Sequence, residues 1–194
     1  MISDRNLSYL QAAVGENIMF NCDIDLKLSA ADVFLSAANI EYADASVTEV
    51  FNMVFGFEVE AIQAPDSDQS LCGLDERTAI VGFSGTMRGA CQIRISSLAA
   101  SSIASAMLGG DPVAAGDDSI DDALGELCNM IAGGWKNGIP IFCECTLSPP
   151  TVISGRNYRV HFHKPSMELS RLYRFNGHTL YLTLHCETMG PSDK

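Results

Sequence analysis

The sequence predicts an α+β fold built from a pseudo-duplicated unit of one helix plus antiparallel strands. The duplication shows in an internal repeat. Glu49-Val-Phe-Asn52-Met-Val-Phe-Gly56 and Glu126-Leu-Cys-Asn129-Met-Ile-Ala-Gly133 both read E-x-x-N-M-x-x-G, at an offset of 77 residues. A repeat of that period in a chain of 194 residues points to a repeated supersecondary unit. The sheet shows in the segments between and after the two copies. They alternate polar and apolar residues, the mark of half-buried strands. Links of hairpin length join them, Asn176-Gly177 the strongest signal, so the strands pair antiparallel and not in a Rossmann-like alternation.

Residues 1–40 read as an N-terminal helical extension. Leu7, Leu10 and Val14 have helical spacing, and Ser29-Ala-Ala-Asp32 resembles a capping box opening a short helix through Phe34 and Leu35. The repeat-bearing domain is expected over residues 41–190. Its first motif helix runs from Asp44 to Phe55, ended by Gly56, and Phe57–Ile62 alternates as a strand. Pro65, Asp66, Ser67, Asp68 and Ser70 mark a loop. Strands follow at Thr78–Phe83 and Arg88–Ile95, turning around Gly85, then an Ala/Ser-rich helix over Ser96–Leu108 and a loop to Asp118. The second motif helix spans Ser119–Lys136. The remaining strands are expected at Ile141–Leu147, Tyr158–His163, Leu169–Phe175 and His178–Cys186.

The second motif helix has two unlike sides. Leu124, Leu127, Cys128 and Ile131 make an apolar stripe that Met130 and Trp135 can extend, so the helix can pack on a sheet. Asp122, Glu126, Asn129 and Gly133 follow one another at spacings of three and four, so they share the other face. Nothing in that stripe belongs in a core. In the first copy the position of Asp122 is Ala45. Gly133 costs about 1 kcal/mol against Ala in a helix. Two readings explain it: a close approach of another backbone, or a helix end at Gly133-Gly134.

Each residue also has a plain structural reading. Ser46-x-x-Glu49 and Ser119-x-x-Asp122 both fit a capping box. Glu126 is too far inside the helix for that, and its plain reading is a solvated face. Asn is a poor helix former, and two at one repeat position raise the odds of a role; the plain reading is an Asn bonded to a neighbouring loop. Cys143-x-Cys145 and His161-x-His163 would make a tetrahedral site only if their strands paired, and buried thiols beside half-exposed imidazoles is the stronger reading. The chain has no H-E-x-x-H, no Walker loop and no G-x-S-x-G; Gly82-Phe-Ser84-Gly85 falls one position short of the last.

Composition bounds the function. Apolar residues are 47% and charged residues 19%, which describes a globular chain. A net charge of -12 argues against nucleic acid and against anionic membrane surfaces. There is no run of 18 apolar residues, so no membrane insertion is expected. The start Met-Ile-Ser-Asp-Arg lacks the pattern of a secretory signal. Seven Cys with no C-x-x-C read as free thiols, Cys128, Cys143 and Cys145 buried, in a reducing cytoplasm.

Asp122-x-x-x-Glu126-x-x-Asn129, followed by Pro149-Pro150, resembles the signature of the CheC/CheX/FliY phosphatases. These remove phosphate from the aspartyl phosphate of chemotaxis response regulators. Leu147-Ser-Pro-Pro-Thr-Val-Ile-Ser-Gly155 also resembles the segment after the active helix in CheX-like proteins, and the likeness covers about Glu41–Glu187. The gap from Asn129 to the prolines is shorter than the family's usual spacing. The resemblance implies two pseudo-symmetric helices beside a broad antiparallel sheet, and a homodimer joined through that sheet. It implies that Asn129 orients the attacking water and Glu126 pairs with the lysine of a phosphorylated CheY-like receiver domain. That receiver would supply the Mg2+, leaving this chain without a cofactor of its own. By the repeat, Glu49 and Asn52 would form a second site, with Asp122 supporting the first. The alternative is a non-catalytic binding or assembly module like the related flagellar-switch middle domains, which lack the Glu/Asn pair.

Overall fold

The apolar stripe of the second motif helix decides how the molecule is layered. In the computed structural model, which describes residues 33–34, 36–62, 76–85, 87–114, 116–140, 142–162 and 167–187, three helices pack on one face of a seven-stranded antiparallel sheet. Helix α1 spans Ala37–Val50 and continues through one π-helical turn, Phe51–Phe55. It ends at Gly56, whose φ of 64° is the left-handed conformation that glycine adopts without a Cβ penalty. Helices α2 and α3 span Ser97–Met107 and Asp118–Gly138. The strands are β1 (Glu60–Ile62), β2 (Glu76–Ser84), β3 (Arg88–Ser96), β4 (Thr146–Leu147), β5 (Thr151–Gly155), β6 (Met167–Phe175) and β7 (His178–Glu187).

The sheet order is β1-β6-β7-β3-β2-β4, with β5 sharing the β2 edge with β4. That order is a pseudo-two-fold. β3 and β7 pair at its centre, and each half sends its first strand across to flank the other half's hairpin. The helices repeat the exchange. Asp44 on α1 receives two bonds from Arg171 on β6, Nε at 2.9 Å and Nη2 at 2.6 Å, and one from Tyr173 Oη at 2.7 Å. Asp121 on α3, at the repeat offset from Asp44, pairs with Arg77 on β2. Each half's motif helix is therefore tied to the other half's hairpin by an Arg–Asp pair.

The core lies between helices and sheet: Val47 and Phe51 from α1, Leu124, Leu127, Cys128, Ile131 and Trp135 from α3, and Ala79, Val81, Ile93, Leu182 and Leu184 from the strands. Helices α1 and α3 run antiparallel and close. A Cβ on Gly134 would sit 2.5 Å from Ser46 Oγ, and one on Gly138 would sit 2.8 Å from the Tyr42 ring. Ser46 Oγ donates to the Ile131 carbonyl at 2.8 Å, and Trp135 Nε1 donates to Asn39 Oδ1 at 2.6 Å. Close approach is the reason for glycine at Gly134 and Gly138 but not at Gly133, where that reading fails: a Cβ would meet only Leu147 Cδ1 at 4.0 Å. The alternative of a helix end at Gly133-Gly134 is overturned, since α3 continues to Gly138.

Several expectations change. Helix α1 begins at Ala37, inside the stretch read as the extension, and Phe34 is buried in the core. The helices expected around Leu7–Val14 and at Ser29–Asp32 lie outside the described residues. Ile141–Leu147 is a strand only at Thr146–Leu147. Before that, consecutive turns donate from Ile139 to Lys136, Phe142 to Ile139 and Cys145 to Phe142, so burial follows a period of three and not two. Cys145 is buried there, but Cys143 is exposed. The strand expected over Tyr158–His163 is not formed by its described residues: burial alternates over Tyr158–Phe162, yet 158–162 form no strand. They cross the sheet's other face, where Tyr158 Oη bonds Thr78 Oγ1 at 2.8 Å and Phe162 stacks on His185 at 4.1 Å. The sequence reading also passed over β5. Pro149-Pro150 disguised it, and prolines belong at a sheet edge because they cannot donate to a ladder.

Candidate functional site

Helix α3 carries the acidic stripe outward. Its N-cap is Asp117, whose Oδ1 accepts from the Ser119 N–H at 2.9 Å. That bond holds the Asp117 carboxyl below its ordinary value. Ser119 is therefore inside the helix, and the capping-box reading of Asp122 is overturned. Asp122 and Glu126 are exposed, and Asn129 is half-buried. Among the described residues none of the three has a hydrogen bond or ion pair. A loop-bonded Asn129 is excluded on the same ground. The side chains stay free because the residues around them satisfy the structural needs: Asp121 takes Arg77, and Ile120, Leu124 and Leu127 take the core.

The stripe borders a sheet edge. The chain from Leu147 to Val152 lies beside α3, with Leu147 near Gly133 and Pro150 against Gly125. Ser148 breaks the edge strand, donating its N–H to the Gly82 carbonyl at 2.8 Å. The register shifts there by one residue, since Phe83 pairs with Leu147 but Ile80 with Thr151. The two prolines thus fill a bulge facing the helix.

The first copy is placed differently. Glu49 and Asn52 are exposed on α1, on a separate helix from Glu126 and Asn129. Ser46 is buried within α1 and bonds Ile131, so it caps nothing and Glu49 is no cap partner. Asn52 falls in the π-helical turn, which is wider than an α-turn, so its direction relative to Glu49 differs from that of Asn129 relative to Glu126. No group of three or more His, Cys, Asp and Glu among the described residues could hold a metal ion. No helix among the described residues is long and apolar enough to cross a membrane.

A duplicated helix-and-strand unit with an outward E-x-x-N stripe is the arrangement that the CheC/CheX/FliY resemblance implies, and the fold is shared with CheC-like proteins. The family described as chemotaxis phosphatase CheX matches residues 77–170. The chain is 33% identical over 82 residues to the CheY-P phosphatase CheX of Thermotoga maritima. That match takes in 42% of this chain and 53% of the relative, so it spans about half the relative's length. A CheC-like superfamily protein from Shewanella sp. PV-4 shares the fold, with 22% identity and a TM-score of 0.67 over 78% of this chain and 99% of the other. A CheX-CheY-BeF3-Mg2+ complex from Borrelia burgdorferi contains a chain of the same fold, with 17% identity and a TM-score of 0.59 over 77% and 98%.

Sequence reasoning missed Gly125, Asp44 and Asp121. The two aspartates were within reach, since extending the repeat five residues upstream aligns them. Gly125 carried no signal of its own, because what it admits lies about 25 residues further along the chain.

Proposed function

We propose that this chain is a phosphatase for the aspartyl phosphate of a response-regulator receiver domain. The observation that carries the proposal is the pair of unpartnered side chains, Glu126 and Asn129, on one outward stripe of α3. The match to the chemotaxis phosphatase CheX family and the likeness to the Thermotoga CheY-P phosphatase support it, as does the CheX-CheY pairing in the Borrelia complex.

The chemistry is a hydrolysis. A water oxygen forms a bond to phosphorus as the bond to the aspartyl oxygen breaks, giving inorganic phosphate and a free carboxylate. Catalysis of such a transfer is mostly positioning and charge stabilisation. In this reading Asn129 enters the receiver's site and orients the water, since an amide both donates and accepts and does not repel phosphate. Glu126 meets the receiver's lysine and fixes the docked pose, with Asp122 one turn away in support. The Mg2+ belongs to the receiver. The reading includes a homodimer joined through the sheet, acting in the cytoplasm; light scattering on the purified protein tests the dimer.

The test is to charge receivers from the same genome with acetyl phosphate, add the protein, and follow phosphate loss. Acceleration over the receiver's own decay is expected for at least one of them. A flagellar-switch-like assembly module would bind a receiver or another partner with no acceleration, and that result would replace the phosphatase reading.

A further inference from the structure

Gly125, Asn129 and Gly133 stand four residues apart, on one row of α3. The chain leaving β4 lies along that row. A Cβ on Gly133 would find Leu147 Cδ1 at 4.0 Å. One on Gly125 would find Pro150 Cγ at 3.2 Å, Pro150 Cβ at 3.3 Å and Val152 Cγ2 at 3.6 Å. Ser148 and Pro149 link these contacts, so they pass the middle of the row, where Asn129 stands. Their main chain has no N–H to offer it. The Ser148 N–H goes to the Gly82 carbonyl, and proline has none. The Ser148 hydroxyl is engaged as well, accepting from the Gly82 N–H at 2.9 Å and donating to the Pro149 carbonyl at 2.9 Å. Asn129 thus stands in a row whose two ends meet this edge, and among the described residues its side chain has no hydrogen bond.

The molecule contains its own control. At the repeat offset the same row in α1 is Thr48, Asn52 and Gly56, and all three are exposed. In α3 Gly125 is buried and Asn129 half-buried. Among the described residues only α3 has such an edge beside its motif, and the residue at the contact position is glycine in α3 and threonine in α1.

We infer that Gly125 is a positioning residue for Asn129: the missing Cβ at 125 lets the 147–152 edge lie on α3, and the seated edge holds the amide in its working direction. The inference deepens the phosphatase reading and rests on it for the rate effect.

Gly125→Ala tests it. Alanine is the better helix former, so the variant does not weaken α3 itself. Its Cβ would stand 3.2 Å from Pro150 Cγ, so the edge must shift by a few tenths of an ångström. The kcat for phosphate release should fall at least about tenfold, with KM for the phosphorylated receiver within about twofold, because the docking carboxylate Glu126 is untouched. Adding Pro150→Gly removes both atoms nearest the new Cβ, Cγ at 3.2 Å and Cβ at 3.3 Å, and should return kcat to within about threefold of the parent. An independent readout is the side-chain amide resonance pair of Asn129, which should move toward that of exposed Asn52 in Gly125→Ala and return in the double variant. Unmoved Asn129 resonances overturn the inference, as does a kcat that stays unchanged or that the double variant fails to restore. If the unmodified protein speeds no receiver's decay, the phosphatase reading fails, and the amide resonances alone decide whether Gly125 positions Asn129.

Discussion

Asn129 and Glu126 sit one turn apart on the same helix face, and their chemistry separates their roles. An amide can hold a water in line, whereas a carboxylate can answer a lysine. Asn129→Ala should therefore lower stimulated dephosphorylation by about 10²-fold or more, while receiver binding and melting temperature hardly change. A half-buried amide with no hydrogen bond among the described residues contributes little to folding. Full activity in that variant would remove Asn129 from the mechanism. Glu126→Gln acts on association instead. Loss of one member of a desolvated charge pair at an interface costs about 1–3 kcal/mol. Calorimetric titration of the charged receiver should show the affinity falling by about tenfold to a hundredfold; unchanged affinity and turnover would make Glu126 an ordinary surface residue.

At the scale of elements, the two motif helices share a sequence motif but not a setting. Helix α3 is regular through Asn129 and has the proline edge beside it, whereas α1 opens into a π-turn at Asn52 and lacks the leading acid, with Ala45 in its place. The second copy is expected to dominate. Asn52→Ala should leave stimulated activity nearly unchanged, and the Asn52/Asn129 double variant should match Asn129→Ala alone; loss of most activity in Asn52→Ala with an unchanged melting temperature would reverse that ranking. The seam between the helices makes a second prediction. Helix propensity alone would have Gly134→Ala stabilise the protein by about 1 kcal/mol. The Cβ would meet Ser46 Oγ at 2.5 Å across the seam, so the packing cost of about 1–3 kcal/mol should win. The urea midpoint should fall, and Ser46→Gly in the same chain should recover part of the loss. Segment 141–147 shows how elements can mislead: Ile141, Cys143 and Cys145 alternate as a strand would, yet the turns bury Ile139, Phe142 and Cys145.

Across the whole molecule, the exchange of first strands and the two Arg–Asp pairs bind the halves into one body. Neither half closes its own sheet edge or satisfies its own helix, so unfolding is expected to be a single transition. The same burial sets an alkaline limit. Burial, with the bond to Asp44 next, raises the Tyr173 phenol above its ordinary 10.0, and burial raises Tyr158. The Cys186 thiol is raised by burial, and that of Cys91 by its bond to Cys128 and then by burial, above 9.0. These groups lose their protons at lower pH in the unfolded chain than in the folded one. The folded state then holds more protons, and stability falls as pH rises above about 9. Melting temperature should be flat from about pH 7 to 8.5 and drop progressively beyond about pH 9. Tyr173→Phe should start lower, having lost its bond to Asp44, and fall less steeply. A melting temperature that holds or rises over the alkaline range would contradict the assignment of these groups to the core.

The sequence by itself determined the duplication, the antiparallel α+β class and the outward stripe of Asp122, Glu126 and Asn129, because all three are written in local spacing. Strand alternation and helical periodicity need only residues close in the chain, and the repeat needs only the comparison of two such local patterns. The Asn176-Gly177 turn is the same kind of signal, and the φ values of 44° and 77° there bear it out. Tertiary structure alone decided which half owns which strand, why Gly134 and Gly138 are glycine, and that the Pro149-Pro150 edge lies along α3. Those facts depend on what lies across a packed interface. Residues 42 and 46 meet 138 and 134 there, and 150 meets 125, through contacts between elements far apart in the chain. The repeat makes the two motif helices look alike, and the distant proline edge makes them different.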